Sequence, residues 1–159
     1  MLLKHHLPMQ AFTVMRECVA SMGMLGVQGK YAKQSMLTKK GRDYRRRFGE
    51  LFACMCQYPR AEWKLENPEE VVRLSPSVIN DFQHLKPFWE QIEELGIAAV
   101  LQGFVGDMAD LRNGFDHAWI VKNGVPANVL ESGGQYLEAL KTIFEKLHQA
   151  GLVENTPRH

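Results

Sequence analysis

One ten-residue stretch, Asp110-Leu111-Arg112-Asn113-Gly114-Phe115-Asp116-His117-Ala118-Trp119, gathers the side chains best suited to chemistry. Arg112 supplies an always-charged guanidinium fork shaped for a phosphate, and His117 is the side-chain type that exchanges protons near neutral pH. Together they are the parts needed to cleave a phosphodiester without a metal ion or cofactor. Five residues separate them, which on a regular helix is about 140° around the axis, so a straight helix does not aim both at one point. Gly114 lies between them and could relax the helix enough to turn both towards one cleft. The competing reading is a surface pair, with Arg112 bridging Asp116 or Asp110 and His117 packed on Trp119.

A second polar feature is the basic run Lys39, Lys40, Arg42, Arg45, Arg46 and Arg47, with Asp43 the one acidic residue among them and Tyr44 and Phe48 interleaved. It could hold an RNA backbone through phosphate contacts that weaken with salt, or it could be a solvated helix face. Asp107 and Asp110 are three residues apart on the same predicted helix as Asp116. No His or Cys pattern completes a metal site with them, so exposure or pairing with Arg112 is the expectation. Cys18, Cys54 and Cys56 match neither a disulfide framework nor zinc spacing, and are expected to be buried thiols in a reducing cytoplasm.

The elements that must position these residues are helical. Pro8 opens a stripe of Met9, Phe12, Val14, Met15, Val19 and Met22, predicting a helix to about Met22, followed by a polar stretch over 28–40. A second helix follows Gly41, with Tyr44, Phe48, Leu51, Phe52 and Met55 on one face, and ends before Pro59. From Gln57 to Pro76 the chain reads as a connection with one short helix and few core candidates. Ser75-Pro76 starts a third helix carrying Val78, Ile79, Phe82, Leu85, Phe88, Trp89 and Ile92, which Pro87 should kink or interrupt. A fourth follows Gly96 through Val100, Leu101, Phe104, Val105, Met108, Leu111, Phe115 and Trp119 to Asn123-Gly124. Ser132 caps the last, in which Tyr136, Leu137, Leu140, Ile143, Phe144 and Leu147 face inward and Gly151 is the stop. No strand-like alternation of comparable length occurs, so the fold class is all-α, a bundle of about five helices.

Composition limits the rest. The chain has 159 residues, 45% hydrophobic, enough for one domain spanning 1–159. Nineteen Lys and Arg against eighteen Asp and Glu give a formal charge of +1, so no global field marks a nucleic-acid or membrane binder and any charge argument is local. Apolar stretches such as Gly96 to Leu101 fall far short of the roughly 20 residues that span a bilayer, and the first ten residues lack a signal-peptide pattern. No membrane partner and a cytoplasmic location are expected.

Arg112-Asn113-Gly114-Phe115-Asp116-His117 resembles the Arg-x4-His motif of HEPN domains, all-helical modules many of which are metal-independent ribonucleases. Asn113 stands in the favoured second position, whereas Asp116 departs from the small residue frequent before the His. Arg-to-His spacing alone arises by chance roughly once in such a chain, and the polar neighbour lowers that to about 0.1. In outline the whole chain is also similar to the C-terminal HEPN region of CRISPR-associated effectors, where a helix like that over 10–21, with Ala11-Phe12 and Arg16-Glu17, opens the domain. The resemblance implies that His117 acts as general acid or base for attack of an RNA 2′-hydroxyl, that Arg112 stabilises the pentacoordinate phosphorus, and that Asn113 orients the groups. It further implies single-stranded RNA as substrate, 2′,3′-cyclic phosphate products, no cutting of DNA, and a homodimer with a composite cleft. A role in prokaryotic defence, CRISPR-linked or toxin-like, follows from the same resemblance; that the chain begins almost directly in a helix leaves open that it is the effector part of a longer protein. The alternative is a non-catalytic helical module that binds a protein or nucleic acid.

Overall fold

The computed structural model describes residues 8–27, 39–66, 75–117 and 127–153. Among these the fold is all-α: helices α1 (Pro8–Leu25), α2 (Lys39–Gln57), α3 (Pro76–Glu94), α4 (Ala98–His117) and α5 (Ala127–Gln149), with 3-10 turns at Arg60–Glu62 and Lys64–Glu66 and no strand. None of the described helices is long and apolar enough to cross a membrane.

A single buried cluster draws on all five helices. Phe12, Met15, Val19 and Met22 of α1 meet Phe48, Phe52 and Met55 of α2, Phe82, Leu85, Phe88, Trp89 and Ile92 of α3, Leu101, Phe104 and Met108 of α4, and Leu140, Ile143 and Leu147 of α5. These recur every three or four residues, which puts each set on one helix face. Val14 and Val100, counted in the predicted stripes, are instead 52% and 49% exposed. Val14 is two residues from Phe12, about 200° around α1, and Val100 sits at the stripe's edge in the first turn of α4.

The closest contact in the bundle is between α1 and α2, and it depends on missing side chains. A Cβ at Gly23 would collide with Phe52 and come within 2.7 Å of the Phe48 carbonyl oxygen, and one at Gly49 would lie 2.8 Å from the Ala20 carbonyl oxygen. Bare backbone therefore lets the two helices touch along their axes.

Helix ends follow local chemistry. The Ser75 hydroxyl accepts from the Val78 N–H with Pro76 in the first helical position of α3. Gly96 (φ 66°) and Gly151 (φ 70°) take the left-handed conformation that closes α3 and α5, with Ile97 N–H donating to the Ile92 carbonyl and Leu152 N–H to that of Leu147. Three boundaries differ from the sequence reading. α1 runs on to Leu25, α2 starts at Lys39 ahead of Gly41, and α5 begins at Ala127, leaving Ser132 inside it and not at its cap. α3 also continues through Pro87. Pro87 is exposed, so the carbonyl that loses its partner lies near solvent, while Leu85, Phe88 and Trp89 anchor both flanks in the core.

The segment after α2 holds more than a connection. Trp63 is buried edge-on against Trp89 (4.9 Å between centroids) and Phe82 (6.0 Å), and its indole N–H donates to the Tyr58 carbonyl at 2.9 Å. Arg60 donates to Glu66 at 2.9 Å and pairs with Glu90 and Glu93 of α3, while Lys86 of α3 donates to Glu66 at 2.8 Å. Burial alone would raise the Glu66 carboxyl, but the bonds from Lys86 and Arg60 outweigh it and hold the group below its ordinary range.

Two outcomes follow. Gly23→Ala lowers stability by about 1–2 kcal/mol, despite the usual helical preference for Ala, whereas Gly103→Ala, whose Cβ would meet nothing within 4 Å, raises it by about 0.5–1 kcal/mol; urea midpoints measure both. Because the folded pKa of Glu66 is depressed, its contribution is complete above the unfolded value of about 4.3 and is lost as pH falls through the folded one. The gap between the urea midpoints of the parent and Glu66→Gln should therefore be open at pH 7 and close on acidification.

Candidate functional site

The direction of each helix decides what meets at the ends of the bundle. Arg47 pairs with Asp81, Phe52 with Phe88 and Trp89, and Arg60 with Glu93, so α2 and α3 run the same way. Only Leu95 to Ile97 separate α3 from α4, which returns along α2 with Gln102 Nε2 donating to the Tyr58 carbonyl at 2.9 Å. The C-terminal end of α4 therefore lies at the end of the bundle where α2 begins.

α4 is continuous to His117, so Arg112, Asn113 and Gly114 stand in its last turns. What is described of these residues is helical backbone; their side chains, and Ala118 and Trp119, lie outside it. The phase of the helix is nevertheless set by its earlier turns, in which Leu101, Phe104 and Met108 are buried and Ala99 and Gly103 are exposed. Carried forward at about 100° per residue, positions 112 and 117 stand about 140° apart around the axis. The helical backbone at Gly114 thus leaves the two positions on different lines of α4.

α5 fixes α4 shortly before this point. The Tyr136 hydroxyl donates to Asp107 Oδ2 at 3.1 Å, and its ring lies edge-on to Phe104 of α4 and Phe12 of α1. Burial, then the hydrogen bond to Asp107 and its charge, raise the Tyr136 pKa and keep the hydroxyl a donor. Asp107 is thereby engaged by α5, while the side chains of Asp110 and Asp116 lie outside the described residues.

The basic run divides. Lys39 and Arg46 are exposed, with Asp43 exposed between them. Arg47 grips the buried carboxylate of Asp81, Nε to Oδ2 at 2.9 Å and Nη2 to Oδ1 at 2.7 Å, with its guanidinium carbon 5.7 Å and 5.9 Å from the ring centroids of Tyr44 and Phe48. Lys40, Arg42 and Arg45 are on α2, and their side chains lie outside the described residues. The sequence reading missed Asp81, although a signal was present: it stands four residues before Leu85, on the apolar side of α3.

The thiols offer little nucleophilicity. Burial, followed by Glu17 for Cys18 and Glu50 for Cys54, raises their pKa values, and burial pushes Cys56 up further. Only Cys56 is fully buried, Cys54 being exposed, so the expectation of three core thiols holds for one of them. His84 and His148 are exposed on α3 and α5; His5, His6 and His159 lie outside the described residues. No protein-family model, curated protein or solved structure matches the chain.

The Arg47–Asp81 pair yields a stability test. Asp81 is 4% exposed, so Arg47→Leu strands a carboxylate in the core and should cost about 2–3 kcal/mol, reduced from the fully buried case because the guanidinium side is 41% exposed. Arg47→Leu combined with Asp81→Leu should recover most of the loss in thermal unfolding.

Proposed function

We propose that this chain is a HEPN-type endoribonuclease domain that cleaves single-stranded RNA without a metal ion. The observation that carries the reading is the unbroken run of Arg112-Asn113-Gly114-Phe115-Asp116-His117 in the last turns of α4, within an all-helical bundle. In this reading His117 moves the proton of the attacking 2′-hydroxyl, Arg112 balances charge on the phosphorane oxygens, and Asn113 holds the groups in register. A cyclic phosphate and a free 5′-hydroxyl result.

The angular separation of positions 112 and 117 favours a site completed by a second copy, since a two-fold axis at the end of α4 would supply each half with the other's groups. The same separation is compatible with a non-catalytic binding module, in which Arg112 and His117 would be structural. The similarity to CRISPR-associated HEPN regions supports a place in prokaryotic defence.

Cleavage of a fluorescent single-stranded RNA in excess chelator separates the readings. The parent is expected to cut, to leave 2′,3′-cyclic ends and to spare a strand with 2′-deoxyribose at the scissile position. Folded His117→Ala and Arg112→Ala variants should each be at least about 100-fold slower, the lower bound for loss of a general acid–base group. Equal rates in all three proteins would remove the assignment.

A further inference from the structure

The first turns of α2 concentrate positive charge. Six cations stand between Lys39 and Arg47 against one carboxylate, Asp43, and of the three whose side chains are described, Lys39 and Arg46 are exposed while Arg47 is paired with the buried Asp81. No acidic residue occupies the first turn of α2, where the helix macrodipole already disfavours positive charge. A fold that needed these residues only for stability would gain by placing carboxylates there. The opposite end of the bundle shows that alternative, with Arg60 and Lys86 enclosed by Glu66, Glu90 and Glu93.

We propose that the N-terminal turns of α2 form the track along which single-stranded RNA approaches the end of α4, with Lys39 and Arg46 as phosphate contacts and Asp43 as a carboxylate that limits affinity. This rests on the ribonuclease reading of α4 and names how its substrate is held. Lys39 and Arg46 are seven residues apart on one exposed line of the helix, a rise of about 10.5 Å, so both can follow one extended strand. Asp43 lies on the same line, four residues from Lys39 and three from Arg46, where it competes with phosphate for both. Arg47 is left out of the track, because Asp81 holds the Nε–Nη2 edge of its guanidinium. The antiparallel run of α2 and α4 brings this track to the end of the bundle where the motif stands.

The test is binding of a fluorescein-labelled single-stranded RNA by the full chain across a salt series, scored beside thermal unfolding. Lys39→Glu with Arg46→Glu should weaken binding at least about tenfold at low salt and flatten the log–log salt slope by about 1.4, two contacts at about 0.7 each, with the unfolding temperature equal to or above the parent's. Asp43→Asn should tighten binding several-fold, a result that a merely structural role would not give. His117→Ala should bind RNA as the parent does while failing to cut it; a His117→Ala protein that cuts normally but still binds through α2 removes the nuclease reading and leaves the track. Unchanged RNA affinity in the charge-reversed protein, looser binding in Asp43→Asn, or binding to anionic lipid vesicles in preference to RNA would overturn the proposal.

Discussion

The arrangement of this bundle turns on the contact between Arg47 and Asp81. A carboxylate placed on the inner side of α3 has to be matched, and the bidentate guanidinium of Arg47 is the partner that the fold supplies. Matching it places the second turn of α3 against the third turn of α2, two helices that run in the same direction. Phe52 against Phe88 and Arg60 against Glu93 extend that alignment towards the C-terminal ends. With α2 and α3 so aligned, the short turn at Gly96 sends α4 back along α2, and the end of α4 arrives where α2 begins.

Packing around that frame is dense where bare backbone permits it. Gly23, Ala20 and Gly49 bring α1 and α2 into axial contact, and the aromatic group of Phe52, Phe82, Phe88, Trp63 and Trp89 fills the wedge between α2 and α3. On the other side Tyr136 joins three helices through one ring and one hydroxyl, meeting Phe12, Phe104 and Asp107. Its bond to Asp107 holds α4 five residues before Arg112, so the motif projects from a part of the helix that is tied down.

Much of this was legible from periodicity. Apolar residues three and four apart marked every helix, Ser75-Pro76 marked one start, Gly96 marked where the fourth helix follows and Gly151 marked a stop, because each signal is local and acts through backbone geometry. What escaped is what depends on distant partners. Trp63 belongs to the core only because Trp89 and Phe82 are there to receive it, and nothing in the Gln57–Pro76 stretch announces them. Pro87 suggested a break, yet flanking burial outweighs one lost hydrogen bond. The split between Arg47 and its neighbours was invisible for the same reason, since it is decided by Asp81, 34 residues away. Of the candidate site, the motif and the basic run were legible as residue types; that they share one end of the molecule follows only from the helix directions.

In the proposed function the beginning of α2 and the end of α4 form one RNA-facing surface. Hydrogen exchange of the His117→Ala protein, with and without a single-stranded RNA, is the decisive experiment. Slowed exchange is expected in peptides covering 39–46 and 107–117 together, with the Arg60–Glu66 region and the C-terminal turns of α3 unchanged. Protection confined to one of the two segments, or centred on the opposite end of the bundle, would contradict it.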